Sequence, residues 1–460
     1  MSSAQSVPAA DGNAPKDAPP GVLRKAIAGA AIGNATEWFD YGVYGATTLY
    51  IGKHLFPDST SGTIWVLLGF AISFLMRPLG GFVWGPLGDR LGRRRVLAMT
   101  IILMGLATAL IGVIPSYTTI GLGAPALLYL LRMVQGFSTG GEYGGAATFM
   151  AEYSPDRKRG FCGSFLEFGT LGGLTLGPLI VLLFQTILSD SAMAAWGWRI
   201  PFLVALPLAG IGLYLRSRLE DTPVFLELEE KGQTNDKATT ALKDVILGHW
   251  RPILTLGALV VALNVVNYTL LQYMPTYLQE TLKVPSSRAL SIVSIGQVLM
   301  MIVIPFSGAL SDRIGRKPMW LISLVGLFVL AIPLYLLMAV NFGLAILAFA
   351  ILGLLYIPQL STISATFPAM FPTHVRYAGF AVAYNVSTSL FGGTSPVINE
   401  AIIDKTGLNL FPAFWMMGAC VIGLIGWFAM KETAGASLRG TKVPEAARTP
   451  TGKFIRPAGA

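Results

Sequence analysis

The sequence writes one basic loop twice, each time at the end of a long apolar run. The first copy is Gly85-Pro86-Leu87-Gly88-Asp89-Arg90-Leu91-Gly92-Arg93-Arg94, the second Gly308-Ala309-Leu310-Ser311-Asp312-Arg313-Ile314-Gly315-Arg316-Lys317. A duplicated loop between apolar runs means two similar halves, and two halves about one pathway is an arrangement that carries solutes across a bilayer. The runs cannot all be hidden in an aqueous core. The chain of 460 residues is 53% hydrophobic and 12% charged, whereas a soluble domain has about 25% charged residues. Lipid is therefore the solvent for most of it.

A span needs about 20 apolar residues, and twelve such runs fit between residues 25 and 430. Basic side chains mark alternate loops: Arg90, Arg93, Arg94 and Arg95, then Arg157, Lys158 and Arg159, then Arg313, Arg316 and Lys317, then Arg376. The positive-inside rule puts these loops, and both termini, in the cytoplasm. The net charge of +9 is thereby a topology signal and not a nucleic-acid surface. The organisation expected is a disordered cytoplasmic tail over 1–22, a six-helix half over 23–217 and a polar cytoplasmic linker over 218–251. A second six-helix half follows over 252–430, then a basic, disordered cytoplasmic tail over 431–460. The N-terminus lacks the apolar core of a secretory signal. Cys162 and Cys420 lie far apart in apolar runs, which gives neither a disulfide framework nor a metal site. No phosphate-binding Gly-x-x-x-x-Gly-Lys loop occurs, so the energy source is not ATP and no cofactor is expected. No constellation for nucleophilic catalysis is apparent either.

Twelve spans, a central linker and the doubled Gly-x-Leu-x-Asp-Arg-x-Gly-Arg-Arg loop resemble the major facilitator superfamily. Arg132-Met133-Val134-Gln135-Gly136 is similar to that superfamily's Arg-x-x-Gln-Gly signature. Narrower stretches resemble the metabolite:proton symporter family, in particular its bacterial proline/betaine group. They include Asn34-Ala35-Thr36-Glu37-Trp38-Phe39-Asp40-Tyr41, Met76-Arg77-Pro78-Leu79-Gly80-Gly81 and Trp196-Gly197-Trp198-Arg199-Ile200-Pro201-Phe202. The resemblance runs over about residues 22–435. It implies an all-α membrane fold of two pseudo-symmetric six-helix halves in a bacterial inner membrane, and alternating access driven by the proton gradient. It also implies a gate: Asp89 and Arg93, with Glu152 as partner of Arg93, would close the cytoplasmic ends, and Asp312 and Arg316 would echo them. The best-known relatives end in a charged coiled coil linked to osmosensing. The tail here shows no heptad, so regulation through such a coil is not expected.

Candidate site residues come from the cost of polarity in lipid. Glu37 lies about 13 residues into the first span, or roughly 20 Å along its axis, and Asp40 shares its face. Carboxylates at that depth are expensive and usually functional, and dry surroundings favour the neutral form, which suits reversible proton uptake. Glu142 in the fourth span joins them as a proton-coupling candidate, and Glu167 in the fifth is a secondary one. Arg132 keeps its charge and would take a substrate carboxylate or pair with Glu37, Asp40 or Glu142; Gln135 and Thr139 lie near it on the same helix. A quaternary amine binds by cation–π contact, for which Trp38, Tyr41, Tyr44 and Tyr143 are candidates from the first half and Tyr268, Tyr273, Tyr356 and Tyr384 from the second. Asn264, Asn267, Gln272, Gln359 and Asn385 would add polar contacts, and Pro358 would bend the tenth span. The leading expectation is proton-coupled symport of a small zwitterion such as glycine betaine or proline. The alternative is a carboxylate:proton symporter for 2-oxoglutarate, citrate or shikimate, for which a second buried cation, such as Arg77, would be needed. A channel or membrane sensor is a remote third.

Overall fold

A computed structural model describes residues 20–57, 62–91, 93–140, 142–217, 248–372, 376–438, 443, 445 and 446. The expected linker and N-terminal tail fall almost entirely outside the described residues. Twelve helical spans cross in succession. In the first half they are Pro20–Leu55, Gly62–Leu91, Arg93–Ile111, a broken fourth (Gly123–Thr139 and Glu142–Tyr153), Arg159–Ile187, and a sixth in two pieces (Ile200–Leu203 and Ala205–Ser217). In the second half they are Trp250–Asn267 continued by a π-helical turn at Tyr268–Gln272, Ser286–Ile314, Arg316–Met338, and Phe342–Leu360 resumed at Ile363–Thr366. Span eleven is again broken (Arg376–Ser387, a π-turn at Thr388–Gly392, and Ser395–Thr406), and span twelve is Phe411–Ala429.

Eight of these helices, among the described residues, could cross a membrane on length and composition alone. Spans one, three, four and eleven could not, for a physical reason. Span one buries Glu37 and Asp40, the apolar part of span three is only Ala98–Ile111, and spans four and eleven are interrupted. Such irregular or polar backbone is tolerated at membrane depth only where protein or a cavity covers it. The bend expected at Pro358 is present: the helix stops two residues later, and Thr362 Oγ1 donates to the Pro358 carbonyl at 2.9 Å.

Small residues set how close the spans come. A methyl on Gly136 would strike the Ser73 carbonyl and one on Gly140 the Arg77 carbonyl, which locks span four onto span two. Gly169, Gly173 and Gly177 form a ridge at every fourth position of span five and lie against the backbone of span one at Ala31, Ala35 and Gly42. In lipid, where apolar surface gains little by association, such backbone approach is what holds helices together.

The halves touch at both ends. At the end with the basic loops, the Asp312 carboxylate of span eight accepts from the Gly160 and Phe161 amides of span five at 2.8 and 2.9 Å. Arg316 donates to the same carboxylate at 2.7 Å, and Arg376 pairs with Glu152 at 3.2 Å. At the opposite end Gln185 of span five donates to Tyr50 and to Ser286 of span eight, at 3.1 and 2.9 Å. Midway, Ser389 of span eleven donates to the Phe74 carbonyl of span two at 2.8 Å. The conformation is therefore occluded.

Residues 431–438, expected to belong to an unstructured tail, are instead laid across the basic end. Glu432 accepts from the amides of Arg316, Lys317, Thr433 and Ala434, at 2.8 to 3.0 Å. The carbonyls of Ala436 and Leu438 accept from Arg159 at 2.8 Å and Arg376 at 2.6 Å, one arginine from each half. Composition hid this, because the interactions are made by backbone carbonyls and one acid within a basic, Gly- and Ala-rich stretch.

Candidate functional site

Between the halves lies a narrow cleft with room for little more than a water molecule. Its wall in the first half is Trp38, Tyr143, Glu167 and Thr170. The second half supplies Asn264, Asn267, Tyr356 and Tyr384, with Leu263, Leu360 and Ile363 filling the gaps. Trp38 and Tyr41 share one face of span one and meet edge to face at 5.3 Å. Trp38 also stacks on Tyr268 of span seven at 6.2 Å. Tyr143 of span four stacks on Tyr384 of span eleven, 4.7 Å apart and 14° from parallel. Aromatic faces from both halves thus converge, and among the described residues the buried Trp38 Nε1 and Tyr268 hydroxyl have no hydrogen-bond partner. Such orphans at a cavity are groups ready for a ligand.

Two ion pairs stand behind this wall. Asp40 of span one meets Arg132 of span four at 2.8 Å. Gln135, three residues on and on the same face, accepts from Arg132 at 2.7 Å and donates to Asp40 at 2.7 Å and Thr108 at 2.8 Å. The Arg132 guanidinium lies 3.8 Å above the Tyr44 ring. The partners in this network all belong to the first half, neither Arg132 nor Asp40 lines the central cavity, and among the described residues the Arg132 Nε and Nη2 have no hydrogen-bond partner. The second pair, Glu37 with Arg77, is looser at 3.5 Å. Arg77 donates to the Tyr41 hydroxyl at 2.7 Å, lies 4.4 Å over Phe74, and keeps its Nε unpartnered. Through Phe74, whose ring meets Tyr268 edge to face at 5.0 Å, it adjoins the second half.

Of the residues singled out in the sequence, Trp38, Tyr143, Asn264, Asn267, Tyr356 and Tyr384 meet at the cavity, with Tyr268 beside it. Asn267 accepts from Tyr356 at 3.1 Å, and Asn264 donates to Thr388 at 2.7 Å, within the π-turn of span eleven. Asn385 reaches the Gly140 carbonyl at the break of span four, at 3.4 Å. Elsewhere, Tyr44 donates to the Val66 carbonyl at 2.7 Å, Thr139 to Gly136 at 3.2 Å and Gln359 to Ser323 at 2.8 Å, so these three point into their own halves. The side chains of Glu142, Asp89 and Arg93 lie outside the described residues. Glu152 makes its ion pair across the halves, with Arg376.

Glu167, rated secondary from sequence, is the carboxylate in the cavity wall. It accepts a short hydrogen bond from Tyr143 and one of 2.9 Å from Thr170. Thr170 in turn accepts from Asn34 at 2.6 Å. The overlooked signal was that an acid in so apolar a run carries the same cost in lipid as Glu37 does.

The sequence matches the Major Facilitator Superfamily over residues 30–396. The chain belongs to that superfamily. It is 45% identical over 429 residues to the "Proline/betaine transporter" of Escherichia coli K12, covering 91% of this chain and 86% of that one. It is 44% identical to the "Glycine betaine/proline/ectoine/pipecolic acid transporter OusA" of Dickeya dadantii, covering 91% and 85%. It is 40% identical to the "Ectoine/proline transporter ProP" of Corynebacterium glutamicum, covering 92% and 87%. Among solved structures, the proton:xylose symporter XylE bound to 6-bromo-6-deoxy-D-glucose superposes with a TM-score of 0.73 at 18% identity, covering 91% of this chain and 98% of that one. At that identity the likeness speaks for the fold, which is the twelve-span, two-half superfamily architecture of a multi-pass membrane protein.

Proposed function

We propose that the chain is a secondary active transporter that carries a small zwitterion, a betaine or proline, inward together with protons by alternating access. The observation that supports this best is the cavity between the halves, walled by aromatic faces and amides and containing one acid. A quaternary or secondary ammonium gains from aromatic faces, up to about 2 kcal/mol or more each when desolvated, and Trp38, Tyr143, Tyr268, Tyr356 and Tyr384 present them. The three relatives named for betaine, proline or ectoine support the same substrate class. The substrate carboxylate would go to Arg77, which packs on Phe74, itself edge-on to Tyr268 of the second half, in exchange for its loose contact with Glu37. Arg132, Asp40, Gln135 and Thr108 would hold the first half together, while Glu37 and Glu142 remain coupling candidates. Asp89, Arg93, Glu152, Asp312 and Arg316 would act in the cytoplasmic gate. The alternation of basic loops supports a bacterial inner-membrane location with both termini in the cytoplasm.

The carboxylate reading keeps one argument, since Arg77 is the second buried cation it requires. Proteoliposomes under an imposed inward proton gradient, given labelled glycine betaine, proline or 2-oxoglutarate, separate the two. Betaine or proline accumulation that a protonophore abolishes supports the zwitterion reading. Accumulation of 2-oxoglutarate alone would overturn it and leave the fold and coupling in place.

A further inference from the structure

The buried acids of this protein are not alike. Glu37 has Arg77, Asp40 has Arg132 and Gln135, Asp312 has Arg316 and two amides, and Glu432 has four amides. Each has a cation or backbone amides as partners. Glu167 is 1% exposed and, among the described residues, has no cation. Its two donors are neutral hydroxyls. We propose that Glu167 is the site where the transported proton binds and is released, and that the Tyr143–Tyr384 stack passes its state to the opposite half. This rests on the symport reading above.

Three features of the geometry carry it. First, the direction of the hydrogen bonds is fixed on one side only. Asn34 donates to Thr170, so the Thr170 proton points at Glu167 Oε2. The Oε1 side is free to reverse, because a phenol both donates and accepts. With Glu167 charged, Tyr143 donates to Oε1. When a proton adds to Oε1, one O–H bond forms there, the acid donates to the Tyr143 oxygen, and the Tyr143 proton turns elsewhere in the cavity. Nothing is oxidised or reduced, and the proton leaves by the reverse step.

Second, the acid shares its cavity with the groups proposed to hold substrate. Trp38 faces it from span one, Asn264 and Asn267 from span seven, Tyr356 from span ten and Tyr384 from span eleven, and none of these is a charged group. The Glu37–Arg77 pair is the charged neighbour of this set and acts on Tyr384. Third, the helix that carries Glu167 is held close against span one. Two residues on, Gly169 presses against span one, so spans one and five are one rigid pair. An uncompensated charge buried among aromatic and apolar side chains is costly. Closure around a charged Glu167 is therefore disfavoured and closure around the neutral acid is not. That is the rule a symporter needs, because substrate then cannot be carried across without its proton.

The test uses the full chain in proteoliposomes with labelled glycine betaine or proline. A one-unit inward pH gradient supports about tenfold accumulation at one proton per substrate. Glu167→Gln should drop this ratio to about one while exchange of labelled for unlabelled substrate persists at a reduced rate. It should also flatten the pH dependence of substrate affinity, read from fluorescence quenching by the cavity indole. Glu167→Asp should restore part of the accumulation. Wild-type accumulation in Glu167→Gln, or an unchanged pH dependence, overturns the assignment. Should that variant fail to assemble, Tyr143→Phe and Thr170→Val take its place. Each removes one donor to the charged form, so the midpoint of the pH profile should move upward, and an unmoved midpoint in both overturns the assignment. Wild-type uptake that ignores the proton gradient would instead sink the symport reading itself, and the two failures are distinguishable.

Discussion

Replacing Asp312 by asparagine removes one charge from the point where spans five and eight meet. The carboxylate is 5% exposed and holds the Gly160 and Phe161 amides of the other half, while Arg316 sits one turn away on its own side. Only the two amide bonds are lost when the halves part at this end, because Arg316 travels with Asp312. Hydrogen bonds to a charged group contribute about 1.5–3 kcal/mol each, and neutral ones about 1. An asparagine oxygen accepts one amide, and its NH2 faces the other, donor to donor. With the charged bonds at about 1.5–2 kcal/mol each, the closed gate should lose about 2–3 kcal/mol, which is a factor of about 30–150 in its population relative to the open one. Ser164 is a suitable reporter, since it is fully buried with its Cβ against Gly308 of span eight. In a chain with Cys162 and Cys420 replaced by serine, Ser164→Cys should react slowly with a membrane-permeant maleimide in the absence of substrate. Adding Asp312→Asn should speed the reaction by about the same factor of 30–150, provided the open state stays the minor one. A labelling rate within twofold of the parent would refute the reasoning and return Asp312 to a role in its own half alone.

Asp40→Asn leaves Arg132, wholly buried, without its anion, which should cost about 3–5 kcal/mol. The detergent melting temperature should fall sharply and recover in part when Arg132→Gln is added; a drop no larger than that of Glu37→Gln would contradict a structural role for the pair. Gly136→Ala drives a methyl into the Ser73 carbonyl and should abolish assembly of the monodisperse protein. Gly210→Ala, which meets only open space, should purify like the parent, and equal yields would show that spans two and four are not in the contact described. Trp38→Ala should weaken glycine betaine binding by about 5–30-fold if the indole supplies about 1–2 kcal/mol of cation–π attraction, with Trp38→Phe intermediate; unchanged affinity in both would remove this face from the substrate site.

The twelve spans and the two halves were legible because lipid imposes them locally. A run of apolar residues and the sign of the next loop are written side by side in the chain. Partnership is not. Asp40 and Arg132 are 92 positions apart, and Glu37, Asp40, Glu142 and Arg132 read equally well in several pairings. The choice is made by the rotation of span four about its axis, which Gly136 and Gly140 set through backbone contact. For the same reason Arg132 looked like a substrate ligand in sequence, although Tyr44 and Asp40 enclose it. Glu152 and Arg376 are 224 positions apart, so that pairing across the halves was not legible either. Glu167 was undervalued because no charged motif surrounds it, and that isolation is what distinguishes it from the paired acids once the spans are in place.

The two ends of the cavity are closed by different chemistry, and the difference has a direction. At the basic end the halves are joined by an ion pair and by amides on a carboxylate, with Arg159 and Arg376 gripping carbonyls of the segment after Met430. At the other end the described side-chain bonds between the halves are neutral, with Gln185 on Ser286 as the example. Charge-assisted hydrogen bonds are roughly twice as strong as neutral ones. The end opposite the basic loops therefore opens at lower cost, and an empty carrier spends more time facing that side. If the basic loops are cytoplasmic, as proposed, that is the side from which an importer must collect both substrate and proton. Binding then has to supply only the small difference needed to close the neutral end, and the larger cost of opening the charged end falls on the loaded, occluded state. Under the proposed mechanism, a neutral Glu167 and a seated zwitterion would leave no uncompensated charge in the cavity in that state.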